Sequence, residues 1–86
     1  MSLNDIRSEI DYIDDQILSL FLKRIKCIEK ISKIKGKEKI QVLDKDREQE
    51  ILLRIKRNSG EYEKITDDLF KKILEISKKI QKNKII

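Results

Sequence analysis

Eight side chains in this sequence have the types and spacings to assemble one site: Arg7, Arg24, Lys35, Asp44, Arg47, Glu48, Ser77 and Gln81. Arg24 and Lys35 are eleven residues apart, three helical turns. On a helix they share a face about 16 Å apart along the axis, and two long side chains leaning together can bracket a small molecule. Two solvated cations are the competing reading, strongest for Lys35. Arg7 lies roughly 25 Å before Arg24 on the same axis. It cannot grip the same ligand from one chain, but it could from the second chain of an antiparallel dimer; taken alone it could equally form a surface salt bridge. Asp44 and Glu48 are four apart and face the same way if both are helical, with Arg47 beside them. A helix start with favourable acidic residues is the alternative there. Ser77 and Gln81, also four apart, lie on the flank of Phe70 and Leu74 and read as hydrogen bonders to something partly buried, or else as polar surface.

Together these groups describe a pocket with several cations, a few neutral polar groups and a carboxylate. The chain has no histidine and a single cysteine, Cys27. Without a histidine base a catalytic thiol is not expected, and neither is a common metal site. The pocket suits a small dianion whose reaction needs positioning and electrostatics, not covalent help. No cofactor and no metal are expected.

The element that must position most of these residues is the stretch Leu3 to Lys35. Its apolar residues fall at Leu3, Ile6, Ile10, Ile13, Ile17, Leu20, Cys27, Ile31 and Ile34, in steps of three and four. That spacing predicts one face of an α-helix, with Gly36 as its C-terminal stop. Arg24 interrupts the stripe, and a guanidinium on an apolar seam needs an anionic partner. Cys27, as a small apolar member of the stripe, is expected to be buried and inert. Some 30 residues at ~1.5 Å each span roughly 45 Å. A globule of this length has a diameter near ~31 Å. The helix must overhang, and an overhanging apolar stripe should be covered by another chain.

Asp44 is a plausible N-cap for a second helix through Ile51, Leu52 and Ile55, ended by Asn58-Ser59-Gly60. A third helix is predicted from about Thr66 through Ile80, fraying after Gln81. Ser2 or Asn4 can cap the first helix. Strand signals are missing. The expected fold is therefore all-α: three helices, one of them very long, in a single domain over residues 1–86, forming an intertwined homodimeric helical bundle.

Of 86 residues, 43% are charged and the formal net charge is +5. That is compatible with nucleic acid, an anionic membrane surface or a small anionic substrate. Sixteen lysines scattered over solvent faces could equally account for it, whereas the five arginines are more selective. The opening Met-Ser-Leu-Asn-Asp has no basic region leading into an apolar run, and no stretch approaches 18 apolar residues. A cytoplasmic location is expected, without nucleic-acid or membrane partners.

At these residues the chain resembles the all-helical chorismate mutases, intertwined dimers that convert chorismate to prephenate in aromatic amino-acid synthesis. Leu3-Asn4-Asp5-Ile6-Arg7-Ser8-Glu9-Ile10-Asp11 is similar to the family's opening segment. Ile13 to Phe21 is similar to its acidic-then-leucine run, and Lys23-Arg24 to the arginine beyond that run. Ile34-Lys35-Gly36-Lys37 carries the lysine. Asp44-Lys45-Asp46-Arg47-Glu48 looks like the second-helix signature, and Phe70 to Gln81 supplies Ser77 and Gln81. The resemblance covers nearly the whole chain, without a gap from Arg7 through Glu48. It implies that Arg24, helped by Ser77, holds one carboxylate of chorismate and Arg7 of the partner subunit the other. Lys35 and Gln81 would donate to the ether oxygen. Glu48, with Asp44 through its backbone, would fix the ring hydroxyl, and Arg47 would orient Glu48 and add positive potential. One departure is Gln41-Val42-Leu43, where many relatives carry a proline. Nothing comes after the third helix, so a stand-alone enzyme is expected, able to dock on a partner enzyme.

Three alternatives compete with this reading. An isochorismate–pyruvate lyase shares the fold and much of the pocket. A basic helical nucleic-acid-binding module would explain the pI of 9.4 but not the arginine on the seam, and it lacks aromatic stacking platforms. A plain dimerisation protein would pair Arg24 with Asp14 or Glu29 across the interface.

Overall fold

The computed structural model describes residues 1–85, and among these all regular secondary structure is helical, with no strand. Helix α1 runs Leu3–Glu38, α2 Lys45–Arg57 and α3 Glu63–Ile85, with one 3₁₀ turn, Gly60–Tyr62, before α3. Among the described residues no helix is long and apolar enough to cross a membrane.

The helix starts arise from capping chemistry. Ser2 Oγ accepts the Asp5 N–H at 3.1 Å, while Asp5 Oδ2 accepts the Ser2 N–H at 3.1 Å. This reciprocal box satisfies two of the four unpaired donors at the start of α1. Asp44 Oδ1 accepts the Arg47 N–H at 3.0 Å and begins α2 in the same way.

Gly36 does not stop α1; the helix passes through it to Glu38. The left-handed residue that ends it is Lys39, at φ 58° and ψ 39°. The Ile40 N–H then folds back on the Lys35 carbonyl at 2.8 Å, a closure that satisfies an orphan carbonyl of the last turn. Helix α3 also begins a turn earlier than the spacing predicts. Thr66 is already inside it, its hydroxyl bonding back to the Tyr62 and Glu63 carbonyls. It is helical to Ile85, beyond the fraying point expected after Gln81. Gly60, at φ +57°, makes the turn that a side chain would strain.

The α2–α3 pair is antiparallel, tied at one end by Ser59 Oγ and Thr66 Oγ1 at 2.6 Å and at the other by Glu48 and Lys78. It packs on the second half of α1, and the core takes one buried hydrophobic from each helix: Ile28, Ile51 and Leu74. The molecule measures 54 × 24 × 14 Å, with a radius of gyration of 16.1 Å. A compact chain of this length would have about 12 Å. The excess is the first half of α1, which projects as a bare rod.

Helices α2 and α3 meet only the second half of α1, and the first half of the apolar stripe overhangs. The face they meet is formed by Phe21, Arg24, Ile25, Ile28, Ser32 and Lys35, all at least partly buried. Leu3, Ile6, Ile10, Ile13, Ile17 and Leu20 stay between 40% and 64% exposed. Cys27, expected to be buried, is exposed in the single chain.

Candidate active site

A cleft of about 280 Å³ opens where the three helices meet. Helix α1 gives it Arg24, Ile28, Ile31 and Lys35, successive turns of one face. The loop before α2 gives Val42 and Asp44, and α2 gives Arg47, Glu48 and Ile51. Helix α3 gives Leu74, Ser77, Lys78 and Gln81. Seven of the eight residues singled out by type and spacing therefore line one cleft. The eighth, Arg7, is exposed near the far end of α1, about 25 Å away along the axis.

The floor is apolar and the charged groups stand around it. Arg24 Nη1 donates to Ser77 Oγ, whose own proton goes to the Ile73 carbonyl at 2.8 Å. The serine hydroxyl is thus committed on both sides, and its effect is to hold the guanidinium in place. A guanidinium has five N–H donors, so most of Arg24 stays available to a ligand. Burial pushes the Arg24 pKa below its ordinary value, and the nearby cations of Arg47 and Arg54 add to the effect. An anion entering the cleft would offset both penalties, since an opposite charge beside the guanidinium favours its charged form and counters its like-charged neighbours.

Lys35 Nζ donates to the Val42 carbonyl at 2.8 Å. This contact ties the loop between α1 and α2 down over the cleft. It uses one of three ammonium N–H groups and leaves the others free. Gln81 is 6% exposed, and its Oε1 is buried without a partner among the described residues. A buried acceptor left unpaired costs about 1–3 kcal/mol, a cost that a donor reaching it would remove.

Asp44 spends one oxygen on the α2 cap. The Arg47 guanidinium is not in contact with Glu48 in this structure. It pairs with Glu50, one turn along the same helix. Glu48 is instead paired with Lys78 of α3, whose Nζ lies 3.4 Å from Oε2 and 3.5 Å from Oε1. Lys78 was not legible as a site residue. Its only signal is a place between Ser77 and Gln81, in a run of lysines that reads as solvated surface. Four cations and two carboxylates line the cleft, a net positive field in a partly apolar setting. Such a field suits a small dianion.

Comparison with known proteins places nearly the whole chain in one family. The family described as chorismate mutase type II matches residues 6–82. The chain is 32% identical over 73 residues to the T-protein of Haemophilus influenzae, covering 85% of this chain and 19% of that protein. It is 39% identical over 59 residues to the bifunctional chorismate mutase/prephenate dehydratase of Aquifex aeolicus, covering 69% of this chain and 16% of that one. The chain thus spans less than a fifth of the length of these two relatives. It is also 34% identical over 83 residues to the chorismate mutase of Methanocaldococcus jannaschii, covering 93% of this chain and 84% of that one. Among solved structures, a conserved hypothetical protein from Pyrococcus furiosus superposes with a TM-score of 0.72 at 42% identity, covering 92% of this chain and 93% of that one. With a family match over nearly its whole length and a relative of its own size, the chain belongs to the type II chorismate mutase family.

Proposed function

We propose that this protein is a chorismate mutase, rearranging chorismate to prephenate in phenylalanine and tyrosine biosynthesis. The observation that carries the reading is the convergence of seven side chains, from residues 24 to 81 and from all three helices, on one cationic cleft. The reaction is unimolecular: one C–O bond breaks while a C–C bond forms, and no group is transferred to the enzyme. The protein's task is to hold the compact conformer and to stabilise the charge that grows on the ether oxygen.

Arg24, held by Ser77, takes one carboxylate. Lys35 and Gln81 donate to the ether oxygen, Lys35 through the N–H groups that Val42 leaves free and Gln81 through its amide nitrogen. Glu48 accepts from the ring hydroxyl, with Asp44 beside it. Arg47, turned toward Glu50, contributes positive potential at the rim and not the orientation of Glu48. The second carboxylate needs another cation, and Arg7 of the partner subunit supplies it in an antiparallel homodimer built on the exposed stripe of α1. The stripe's exposure supports this assembly.

The test is to incubate the purified protein with chorismate, track its ultraviolet absorbance, and convert any prephenate to phenylpyruvate with acid. Wild type should make prephenate. Arg24→Ala, with the same assembly state, should lose at least about a hundredfold in kcat/KM, the scale for removing a charged group that binds the transition state. No turnover of chorismate by wild type would overturn the proposal, and cleavage of isochorismate instead would identify a lyase on the same scaffold.

A further inference from the structure

We propose that Lys78 is a positioning residue: its ammonium sets the Glu48 carboxylate against the substrate's ring hydroxyl. The inference rests on the mutase reading and names a group that reading does not assign.

Glu48 is the one cleft carboxylate without a role in a helix cap, and its side chain carries two rotatable methylenes. Within α2 nothing fixes it. Arg47, its neighbour in sequence, is engaged with Glu50, and Asp44 is engaged with the Arg47 N–H. The fixing group comes from α3. Lys78 Nζ sits 3.4 Å from one Glu48 oxygen and 3.5 Å from the other, so it straddles the carboxylate. The two side chains are only 24% and 34% exposed, in the order Glu48 and Lys78. Both line the cleft. A pair shielded to this degree holds its geometry better than a surface pair between long, mobile side chains.

Lys78 also comes directly after Ser77, the residue that holds Arg24. One turn of α3 therefore fixes both the guanidinium that takes a carboxylate and the carboxylate that takes the hydroxyl. A hydroxyl–carboxylate hydrogen bond exists before and during the rearrangement. Misplacing Glu48 should therefore weaken ground state and transition state alike and appear in KM rather than kcat.

The experiment compares wild type, Lys78→Met, Lys78→Arg, Glu48→Gln and the double variant Lys78→Met/Glu48→Gln. Each is assayed on chorismate and on an analogue carrying hydrogen in place of the ring hydroxyl, with circular dichroism and sedimentation as controls for fold and assembly. Lys78→Met should raise KM for chorismate about tenfold with kcat within about twofold, a coupling on the scale of contacting charged pairs. Lys78→Arg should recover most of the loss. On the analogue, Lys78→Met and wild type should agree within about twofold, and the double variant should be no worse than Glu48→Gln alone. If Lys78→Met does not fold, Lys78→Gln takes its place. A wild-type KM in the uncharged variant would overturn the proposal. So would an equal loss on both compounds, which would make Lys78 a direct carboxylate ligand. A wild type that turns over neither compound would instead remove the mutase reading itself.

Discussion

The bare first half of α1 gives the most demanding prediction. Replacing Ile10 by Asp should dissociate the protein into chains that do not stay folded. Ile10 is 49% exposed in the single chain and sits in the middle of the exposed stripe. Full burial of an isoleucine side chain is worth up to ~3 kcal/mol, so covering the exposed half gains roughly 1 kcal/mol per chain, and about twice that for the symmetric pair. An aspartate there forfeits this gain. It also brings two carboxylates into an apolar seam, at a further cost of roughly 2 kcal/mol or more. Together about 4 kcal/mol is at stake, near a thousandfold in the dissociation constant. The isolated chain has little to fall back on: among the described residues its buried hydrophobic core is Ile28, Ile51 and Leu74. Dissociation and unfolding should therefore be one event, with a Tm that rises with protein concentration. Sedimentation from about 0.1 to 100 μM and thermal melts across that range provide the assay. Tyr12→Asp, well around α1 from Ile10, serves as the control and should leave assembly intact. A wild-type chain that is monomeric, active and equally stable at every concentration would refute the reasoning.

Four smaller predictions rest on single contacts. Ser32 is 1% exposed and its Oγ has no partner among the described residues. Ser32→Ala should thus be neutral or stabilising by up to ~1 kcal/mol in denaturant melts, since it removes an unsatisfied hydroxyl and adds a better helix former; a loss of more than that would mean the hydroxyl is paired in the assembly. Lys39 holds a left-handed backbone at φ 58°, so Lys39→Gly should stabilise by about 1 kcal/mol, whereas a destabilised variant would place the lysine side chain in a needed contact. Gln81→Glu should make activity depend on acid: the new carboxyl can donate to an ether oxygen only when protonated, so its rate should fall as pH rises while the wild type stays flat on this account. Hydrogen bonds from the Ser2 backbone and then its side chain lower the Asp5 pKa. A group depressed on folding adds stability above its unfolded pKa and loses it as pH falls through the folded one, so carbon-detected NMR should find Asp5 titrating below the usual carboxylate range, and Ser2→Ala should move it up.

How much of the fold and the cleft was legible in the sequence depends on which interactions carry each feature. Local ones read well. The α2 cap at Asp44 and the three-helix count come from nearest neighbours along the chain, and the meeting of residues 24 and 35 on one face needs only helical arithmetic. The face of α1 that packs on α3 did not stand apart in the pattern. A stripe advancing in steps of three and four falls behind the true helical repeat, by on the order of 100° over this length. By Cys27 and Ile34 it has left the side it started on, and Arg24, Ile28, Ser32 and Lys35 have rotated into the intrachain contact. A pattern that looked like one interface is two, joined near Phe21: one toward the chain's own α3 and one open to a second chain. The end of α1 misled for a related reason. Glycine permits a stop but does not impose one, and the carbonyl of Lys35 finds its last donor at Ile40, past Gly36. Lys78 was beyond reach altogether. Its role depends on α2 and α3 running antiparallel, with Glu48 at the same level and Arg47 drawn off to Glu50. None of that is encoded in the spacing around residue 78, where Lys78 and Lys79 look alike. One reaches Glu48 across the cleft and the other pairs with Glu75 on its own helix. The difference is about 100° of helix rotation, the step between consecutive residues. A lysine run in such a protein is therefore not a uniform solvated face, and the member that faces the cleft is found by asking which carboxylate lacks a partner on its own helix.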